Sequence, residues 1–360
     1  MQKKVLICAN DLCVGGIEKS LIEMLNAIDY NNIEITLLLN SKSGKFLKYL
    51  SPKIKVAEYK LNSNKNVIIR KIINRFNYIK FICKYRNKYD VTICYASYIK
   101  LLSKIVRKIC KNNYIWIHTD YIAQSGIEEA KRFFDEMQYK KFSNLVFVSQ
   151  IAKNKYLKYF RAKNQNYIYC PNLLNTNDLD IKSNEKINEK KGEKFVFVNV
   201  GRHHEHSKRL TNLFNAIKLL KETYANFEVW FVGDGPEHEM YKELVNKLEI
   251  AEYVKFLGIK TNPYPYFKIA DAFILTSDYE GDPVSRMEAF YFNLPIITTA
   301  VGDRNYLNET NSIIVEKNPK SISQGMKKLI ENIENYKYKN TVADRNKNIL
   351  KKLNNIINSK

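Results

Sequence analysis

The chain has 360 residues, of which 45% are hydrophobic and 27% are charged, a globular balance that excludes a mostly disordered protein. At about 150 residues per domain, this length predicts two domains. The 59 Lys and Arg residues exceed the 37 Asp and Glu residues by 22, which suggests an anionic partner such as a phosphate ligand, a nucleic acid or an acidic membrane surface. Lysine and asparagine are also what an AT-rich genome favours, so charge alone does not choose among these partners.

The cellular location is predicted from the cysteines and from the apolar runs. No run approaches the roughly 18 residues of a membrane span, and the run from Val5 to Ala9 is too short for a signal-peptide core. Six cysteines occur without a C-x-x-C pair, and most lie in apolar segments, which predicts reduced, buried thiols. We therefore expect a cytoplasmic protein, with a peripheral position on the inner face of the plasma membrane as a further option.

Short apolar strands alternate with amphipathic helices in both halves of the chain. Strand Lys4–Ala9 is followed by a helix over Ile17–Ile28, and strand Phe195–Val200 is followed by a helix over Lys208–Lys221. This alternation predicts an α/β fold of two Rossmann-like, doubly wound parallel-sheet domains that face a cleft. The predicted divisions are an N-terminal domain over 1–177, a polar linker over 178–194, a C-terminal domain over 195–335 and a basic helical tail over 336–360 that packs back on the first domain.

Two glycine-containing turns each follow a predicted strand and open a helix. Gly15 and Gly16 come after the first strand, where glycine lets a ligand approach the backbone and the helix N-terminus favours an anion. The turn Gly233–Pro236 follows strand Phe227–Val232 in the same way. For Gly15 and Gly16, an ordinary tight turn is an equal alternative, and for Gly233–Pro236 taken alone, a simple strand-to-helix turn is the preferred interpretation. The dinucleotide fingerprint G-x-G-x-x-G is absent, which argues against NAD.

The segment from Gly201 to Arg209 places positive charge where a helix begins. With Ser207 as N-cap, Lys208 and Arg209 fall in the first helical turn, and Arg202 lies just before it. Cations are unfavourable at a helix N-terminus, so this arrangement favours a phosphate or diphosphate bound among them. A solvated basic helix start is the alternative.

No metal site is predicted. The pair His204 and His206 lacks cysteine or carboxylate ligands at metal spacing. The triplet Asp178–Asp180 lies in the predicted linker and is interpreted as solvated charge.

Two glutamates eight residues apart bracket the start of another predicted helix. Glu280 precedes it, Asp282 and Pro283 are its expected N-cap and first residue, and Glu288 lies inside it among apolar neighbours. A carboxylate in such surroundings needs hydrogen-bond donors, which sugar hydroxyls would supply. A buried glutamate bonded to a tyrosine or to a backbone amide is the alternative.

Taken together and in this order, these motifs resemble the retaining GT-B glycosyltransferases of the family 4 type, including members that act on bacterial surface polysaccharides such as capsule and lipopolysaccharide. The resemblance rests on the Gly15–Gly16 loop, on Arg202 with Lys208, on the Gly233–Pro236 turn and on Glu280 with Glu288. It implies a hexosyl transfer from a nucleotide-diphosphate sugar, with a UDP-sugar first, to a polysaccharide or lipid-linked saccharide acceptor. It implies an acceptor-side N-terminal domain and no cofactor or metal.

The resemblance also implies roles for individual residues. Arg202 and Lys208 would hold the diphosphate, Glu288 the ribose, and Glu280 the transferred sugar. Lys208, Arg202 and Glu280 are the expected catalytic residues, together with His118, which the resemblance places near the reacting sugar in the N-terminal domain. The implied donor-binding set is Gly15, Gly16, Arg202, Lys208, Gly233, Leu257, Gly258, Ile259, Glu280, Gly281, Asp282, Pro283, Val284, Ser285 and Glu288.

Residues 65–114 carry thirteen Lys or Arg residues and a single acid, Asp90, interleaved with Ile, Phe and Tyr. This pattern is typical of a helix that lies on an anionic membrane surface, and an ordinary core-facing helix with solvated lysines is the alternative.

Two other classes of function were considered. A basic nucleic-acid-binding protein is not expected because no RRM, KH or zinc-finger signature occurs, and a non-catalytic GT-B-like binding module would keep the fold without the reaction.

Overall fold

The computed structural model describes residues 2–359 and divides the chain into two compact units. The first unit takes the chain up to Leu173 together with the segment from Lys347 onward, and the second takes Leu174–Asn346. The boundary predicted after residue 177 lies four residues beyond this division. The predicted linker 178–194 falls inside the second unit, and the predicted tail 336–360 is shared between the units. The second unit keeps this segment because Leu179, in a short helix, is buried in its core.

The first unit is built on a parallel sheet of seven strands. Their spatial order is β3-β2-β1-β4-β5-β6-β7, so the direction of winding reverses between β1 and β4. The strands are β1 Lys3–Ala9, β2 Ile33–Leu39, β3 Lys55–Glu58, β4 Val91–Cys94, β5 Asn113–Ile117, β6 Asn144–Phe147 and β7 Asn166–Tyr169. Helices of this unit are α1 Gly16–Ala27, α2 Val67–Tyr85, α3 Lys100–Ile109, α4 Tyr121–Glu136 and α5 Gln150–Phe160.

Strand β1 shows how this sheet is covered on both faces. Val5 and Ile7 pack into one apolar cluster with Leu21 and Leu25 of α1. The alternate residue Leu6 packs into the opposite cluster with α3 and α4. Because side chains alternate across a strand, a strand buried on both faces reads as a continuous apolar run, which is what the sequence contains here.

The second unit repeats the design with six parallel strands in the order β10-β9-β8-β11-β12-β13, and its winding reverses between β8 and β11. Its strands are β8 Phe195–Val200, β9 Phe227–Val232, β10 Val254–Gly258, β11 Ala272–Leu275, β12 Ile296–Thr299 and β13 Ser312–Val315. Its helices are α6 Leu179–Ser183, α7 Glu205–Lys208, α8 Leu210–Lys221, α9 His238–Lys247, α10 Tyr264–Ile269, α11 Val284–Tyr291 and α12 Pro319–Glu331.

The last helix, α13 (Val342–Ile357), begins among residues of the second unit and ends in the first. Ile349, Leu353 and Ile356 recur at helical spacing and are buried in the apolar cluster that also holds α1. Beyond the helix, the Ser359 hydroxyl lies 2.7 Å from the Tyr114 hydroxyl. The C-terminal segment thus completes one face of the first sheet.

The basic stretch 65–114 separates into two helices with different packing. Helix α3 buries Leu102, Ile105 and Ile109 in the core, as the core-facing alternative predicts. Helix α2 contains no buried residue, and it exposes several large apolar side chains beside its basic ones. Among the described residues, no helix is both long enough and apolar enough to span a membrane.

Strands β3 and β7 lie at the two edges of the first sheet, and neither has a continuous run of buried residues.

The cysteines only partly match the expectation of buried thiols. Cys8, Cys94 and Cys170 are buried as expected, but Cys13 and Cys83 are exposed.

Candidate functional site

The helix expected over Lys208–Lys221 is broken at its second residue. Arg209 has φ +48° and ψ 47°, the left-handed conformation, so α7 ends at Lys208 and α8 begins at Leu210. Ser207 is therefore not an N-cap, and Lys208 does not lie in a first turn. A non-glycine residue in this conformation is uncommon, which is why the sequence pattern did not indicate the break.

The break directs Lys208 toward Glu280. The Lys208 Nζ lies 2.5 Å from Glu280 Oε1, and the two side chains are 19% and 17% exposed. The Ser277 hydroxyl donates to the same carboxylate oxygen at 2.8 Å. Two of the residues expected to be catalytic thus form a largely enclosed ion pair.

This ion pair lies where the winding of the second sheet reverses. Lys208 follows β8, Glu280 follows β11, and these two strands are neighbours at the reversal. In open parallel sheets, ligands bind beyond the carboxyl ends of the strands at this point. The location supports the expectation that this pair belongs to a binding site.

The three expected cations near β8 differ in their pairing. Arg209 Nε donates to Asp278 Oδ2 at 2.6 Å, so its charge is already compensated. Arg202 is exposed, and within residues 2–359 its guanidinium has no ion-pair partner. An anion bound at this end of the sheet could therefore pair with Arg202 without breaking an ion pair, whereas it would share Lys208 with Glu280.

Helix α11 carries the second glutamate. It begins at Val284 with Pro283 at the cap position, one residue later than expected, and the Asp282 carboxylate accepts a 2.7 Å hydrogen bond from Arg345 Nη2 instead of capping the helix. Glu288 lies inside α11 and is 2% exposed. The carboxylate is thus as deeply buried as its apolar neighbours led us to expect.

Glycines in the turn after β9 allow its backbone to lie directly against the backbone of the loop after β8. A Cβ on Gly233 would fall on the carbonyl oxygen of Gly201, and a Cβ on Gly235 would fall on that of His203. Gly233 also donates its backbone N–H to the Gly258 carbonyl at 2.9 Å. The Gly233–Pro236 turn thus fixes the position of the loop that carries Arg202.

The strip Leu257–Ile259, which belongs to the expected donor-binding set, lies at the end of β10. Gly258 has φ +68°, and Leu257 precedes it inside the strand. Ile259 is exposed beside a polar cavity of about 290 Å³ that Glu189 and Lys260 help to line. This strip, the Gly281–Ser285 loop and the ion pair all belong to the second unit.

The remaining expected residues lie in the first unit, beyond the ends of its strands. Gly15 caps α1, and the Glu18 side chain occupies the place that a Gly15 Cβ would take, whereas nothing lies within 4 Å of a Cβ on Gly16. The His118 Nε2 lies 3.0 Å from the Tyr95 carbonyl. Burial lowers the pKa of His118 to about 4, and the Tyr95 carbonyl opposes this only in part. The ring is therefore neutral near pH 7, and its Nε2–H donates to that carbonyl.

Some structural partners of the site were missed by sequence reasoning. Thr276 Oγ1 donates to the Lys208 carbonyl at 3.1 Å, and the Asp278 N–H donates to the Ser207 carbonyl at 2.9 Å. Arg286 is fully buried and donates to the carbonyls of Val301 and Asp303. Arg286 is a charged residue on an apolar helix, and this feature of the sequence could have indicated that it needs buried hydrogen-bond partners.

The C-terminal part of this chain is similar to known proteins. The family model described as "Glycosyl transferases group 1" matches residues 180–346. An uncharacterised glycosyltransferase of Methanocaldococcus jannaschii is 28% identical over 208 residues, which is 55% of this chain and 51% of that protein. The capsular polysaccharide biosynthesis glycosyltransferase CapH of Staphylococcus aureus is 25% identical over 259 residues, 63% of this chain and 72% of that protein. The chain thus matches about half the length of the first of these relatives.

Solved structures identify the fold of the whole chain. A TarM variant of S. aureus, solved with fondaparinux, α-GlcNAc-glycerol and UDP, superposes with a TM-score of 0.76 at 12% identity, covering 99% of this chain and 100% of that one. The chain therefore has the GT-B fold of two Rossmann-like domains. Its residues 180–346 match the model of the group 1 glycosyltransferase family.

Substitution of Gly235 tests whether the turn after β9 lies directly against the His203 backbone. We expect Gly235→Ala to lower the free energy of unfolding by about 1–3 kcal/mol, because its methyl group must displace the His203 backbone. The control is Gly192→Ala, whose added Cβ meets nothing within 4 Å. Urea unfolding measures both variants, and equal stability of the two would contradict the assigned contact.

Proposed function

We propose that this protein is a metal-independent, retaining glycosyltransferase. It moves a hexose from a nucleotide-diphosphate sugar, with UDP as the first candidate nucleotide, to a capsule, lipopolysaccharide or lipid-linked saccharide acceptor. The observation that carries the proposal is the Lys208–Glu280 ion pair at the reversal of the second sheet, inside a group 1 glycosyltransferase domain. The presence of UDP in the TarM structure and the polysaccharide role in the name of CapH support the substrate classes.

Arg202, which has no ion pair in the described chain, and Lys208, which is shared with Glu280, are suited to bind a departing diphosphate. Negative charge develops on this group as the bond to the sugar breaks, and donors placed in advance stabilise it. The Lys208 ammonium has three N–H donors, so it can keep its bond to Glu280 while it donates to a phosphate oxygen. Arg202 supplies a second charge without breaking an existing ion pair. In this arrangement no divalent metal is needed to neutralise the diphosphate.

Carboxylates then hold the sugar portions of the donor. Glu280 has a second oxygen for hydroxyls of the transferred hexose, because Lys208 and Ser277 both bond to Oε1. Glu288 is assigned to the ribose, and the Gly281–Ser285 backbone to the sugar and phosphate. His118, whose ring is neutral and whose Nε2 proton is in use, is assigned to positioning the hexose rather than to proton transfer.

Lys208→Ala should weaken UDP binding at least about tenfold, because a hydrogen bond to a charged group contributes about 1.5–3 kcal/mol. The control is Lys218→Ala, which removes an exposed lysine from α8 of the same unit. Isothermal titration with EDTA present measures both affinities, and the wild-type affinity should not change when EDTA is omitted. Equal affinities of the two variants, or binding that requires a divalent ion, would refute the assignment.

Stereochemistry tests the retaining mechanism separately. Slow hydrolysis of the UDP-hexose that binds best should release the α-anomer first, and NMR observes this before mutarotation. Glu280→Gln should hydrolyse the same donor at least about tenfold more slowly, since it loses a charged partner of Lys208. Release of the β-anomer would show inversion, and tight binding with neither hydrolysis nor transfer would indicate a non-catalytic binding module.

Helix α2 supports contact with an anionic membrane surface, where a lipid-linked acceptor would lie. Ile68, Ile72, Phe76 and Ile79 recur at helical spacing and are 70%, 64%, 67% and 50% exposed. The opposite side of the helix packs against the core through residues such as Phe81. The helix also carries five Lys or Arg residues and no acid, and each basic residue near an anionic leaflet contributes about 1 kcal/mol.

Vesicle sedimentation tests this contact. The wild type should bind vesicles of phosphatidylglycerol and phosphatidylcholine at low salt, and it should not bind phosphatidylcholine alone. The double variant Ile72→Ser with Phe76→Ser should lose most of this binding, because it removes about half of the exposed apolar stripe. Ile181→Ser, at a 73% exposed position in the second unit, is the control and should bind normally. Unchanged binding by the double variant would exclude α2 as the contact.

A further inference from the structure

The structure pairs two histidines that the sequence analysis did not connect. His203 follows β8, His238 begins α9, and their Nδ1 atoms lie 2.9 Å apart. The two rings are nearly parallel, with an interplanar angle of 21°. Asp234 Oδ1 lies 3.7 Å from the His238 Nδ1. Two imidazole nitrogens and a carboxylate oxygen thus converge within 4.8 Å of one another.

Exposure differs across this cluster. The side chains of His238 and Asp234 are 17% and 45% exposed, so an ion held there would be reached by water. His203 is 1% exposed, and its Nδ1 is the ring nitrogen that faces His238. Among residues 2–359, the other ring nitrogen, Nε2, has no hydrogen-bond partner. One carboxylate oxygen of the adjacent Glu237 is likewise buried without a hydrogen-bond partner in the described chain.

We propose that His203, His238 and Asp234 bind one divalent transition-metal ion of the Zn²⁺ class, with water completing its coordination. Tetrahedral zinc with Zn–N bonds of about 2.0–2.1 Å separates two ligand nitrogens by about 3.3 Å. The observed 2.9 Å needs to widen by only a few tenths of an ångström. The Asp234 oxygen at 3.7 Å from His238 needs a comparably small movement inward.

The donor set selects among metals. Imidazole suits Zn²⁺, Co²⁺ and Ni²⁺, whereas Mg²⁺ and Ca²⁺ prefer oxygen ligands alone. The bound ion would join the loop after β8, which carries Arg202, to the turn after β9 through a second link beside the Gly235 contact. This role is structural, so the site stands independently of the proposed sugar transfer, which uses Lys208 and Glu280.

Metal binding by the untagged full-length protein tests the site directly. After chelator treatment and dialysis, the wild type should bind one Zn²⁺ per chain in equilibrium dialysis, and Co²⁺ should give the visible absorption of a nitrogen-ligated ion. A hundredfold excess of Mg²⁺ should not displace either ion. The melting temperature should rise on adding Zn²⁺, because the ion binds only the folded state.

Variants locate the ion. His238→Gln should abolish stoichiometric binding, and Asp234→Asn should weaken it about tenfold or more. His206→Gln is the matched control, since this exposed histidine lies in the same segment but outside the cluster. If circular dichroism shows that His238→Gln is unfolded, Asp234→Asn decides alone. The proposal is overturned if the wild type binds no Zn²⁺ at 100 µM, if Mg²⁺ competes, or if His206→Gln loses binding as fully as the cluster variants.

Discussion

The candidate donor site depends on the attachment of one short helix to the loop after β11. Helix α7 ends at Lys208, whose ammonium pairs with Glu280 and whose carbonyl accepts a hydrogen bond from Thr276. One residue earlier, the Ser207 carbonyl accepts the Asp278 N–H, and one residue later, Arg209 pairs with Asp278. These bonds join the loops after β8 and β11 at the reversal of the sheet. The two charged groups are therefore held in place before any ligand arrives, which is the condition for strong electrostatic stabilisation.

Backbone contacts support this attachment from the other side. The turn after β9 lies directly on the loop after β8, because Gly233 and Gly235 have no Cβ to hold the chains apart. The His203–His238 pair joins the same two loops. The Arg202 loop is thus fixed on both sides, while the Arg202 side chain itself stays exposed. A rigid backbone with a free guanidinium is well suited to capture an anion from solvent.

The two units use the same fold differently. In the second unit, charged side chains are gathered beyond the ends of β8 and β11. In the first unit, an open glycine turn at Gly16 follows β1 and a neutral His118 follows β5, while strong positive charge lies on the exposed helix α2. This distribution supports the proposal of a donor nucleotide held by the second unit and of an anionic surface contacted through α2.

The sequence by itself determined the alternation of strands and helices, the two-domain α/β class, and the motifs that include Lys208, Glu280 and Glu288. It did so because apolar periodicity and glycine turns are local features. Only the tertiary structure decided that Arg209 adopts a left-handed conformation, that Lys208 meets Glu280, and that residues 178–194 belong to the second unit. These outcomes depend on contacts between segments roughly seventy or more residues apart in the chain, where no local pattern records the partner.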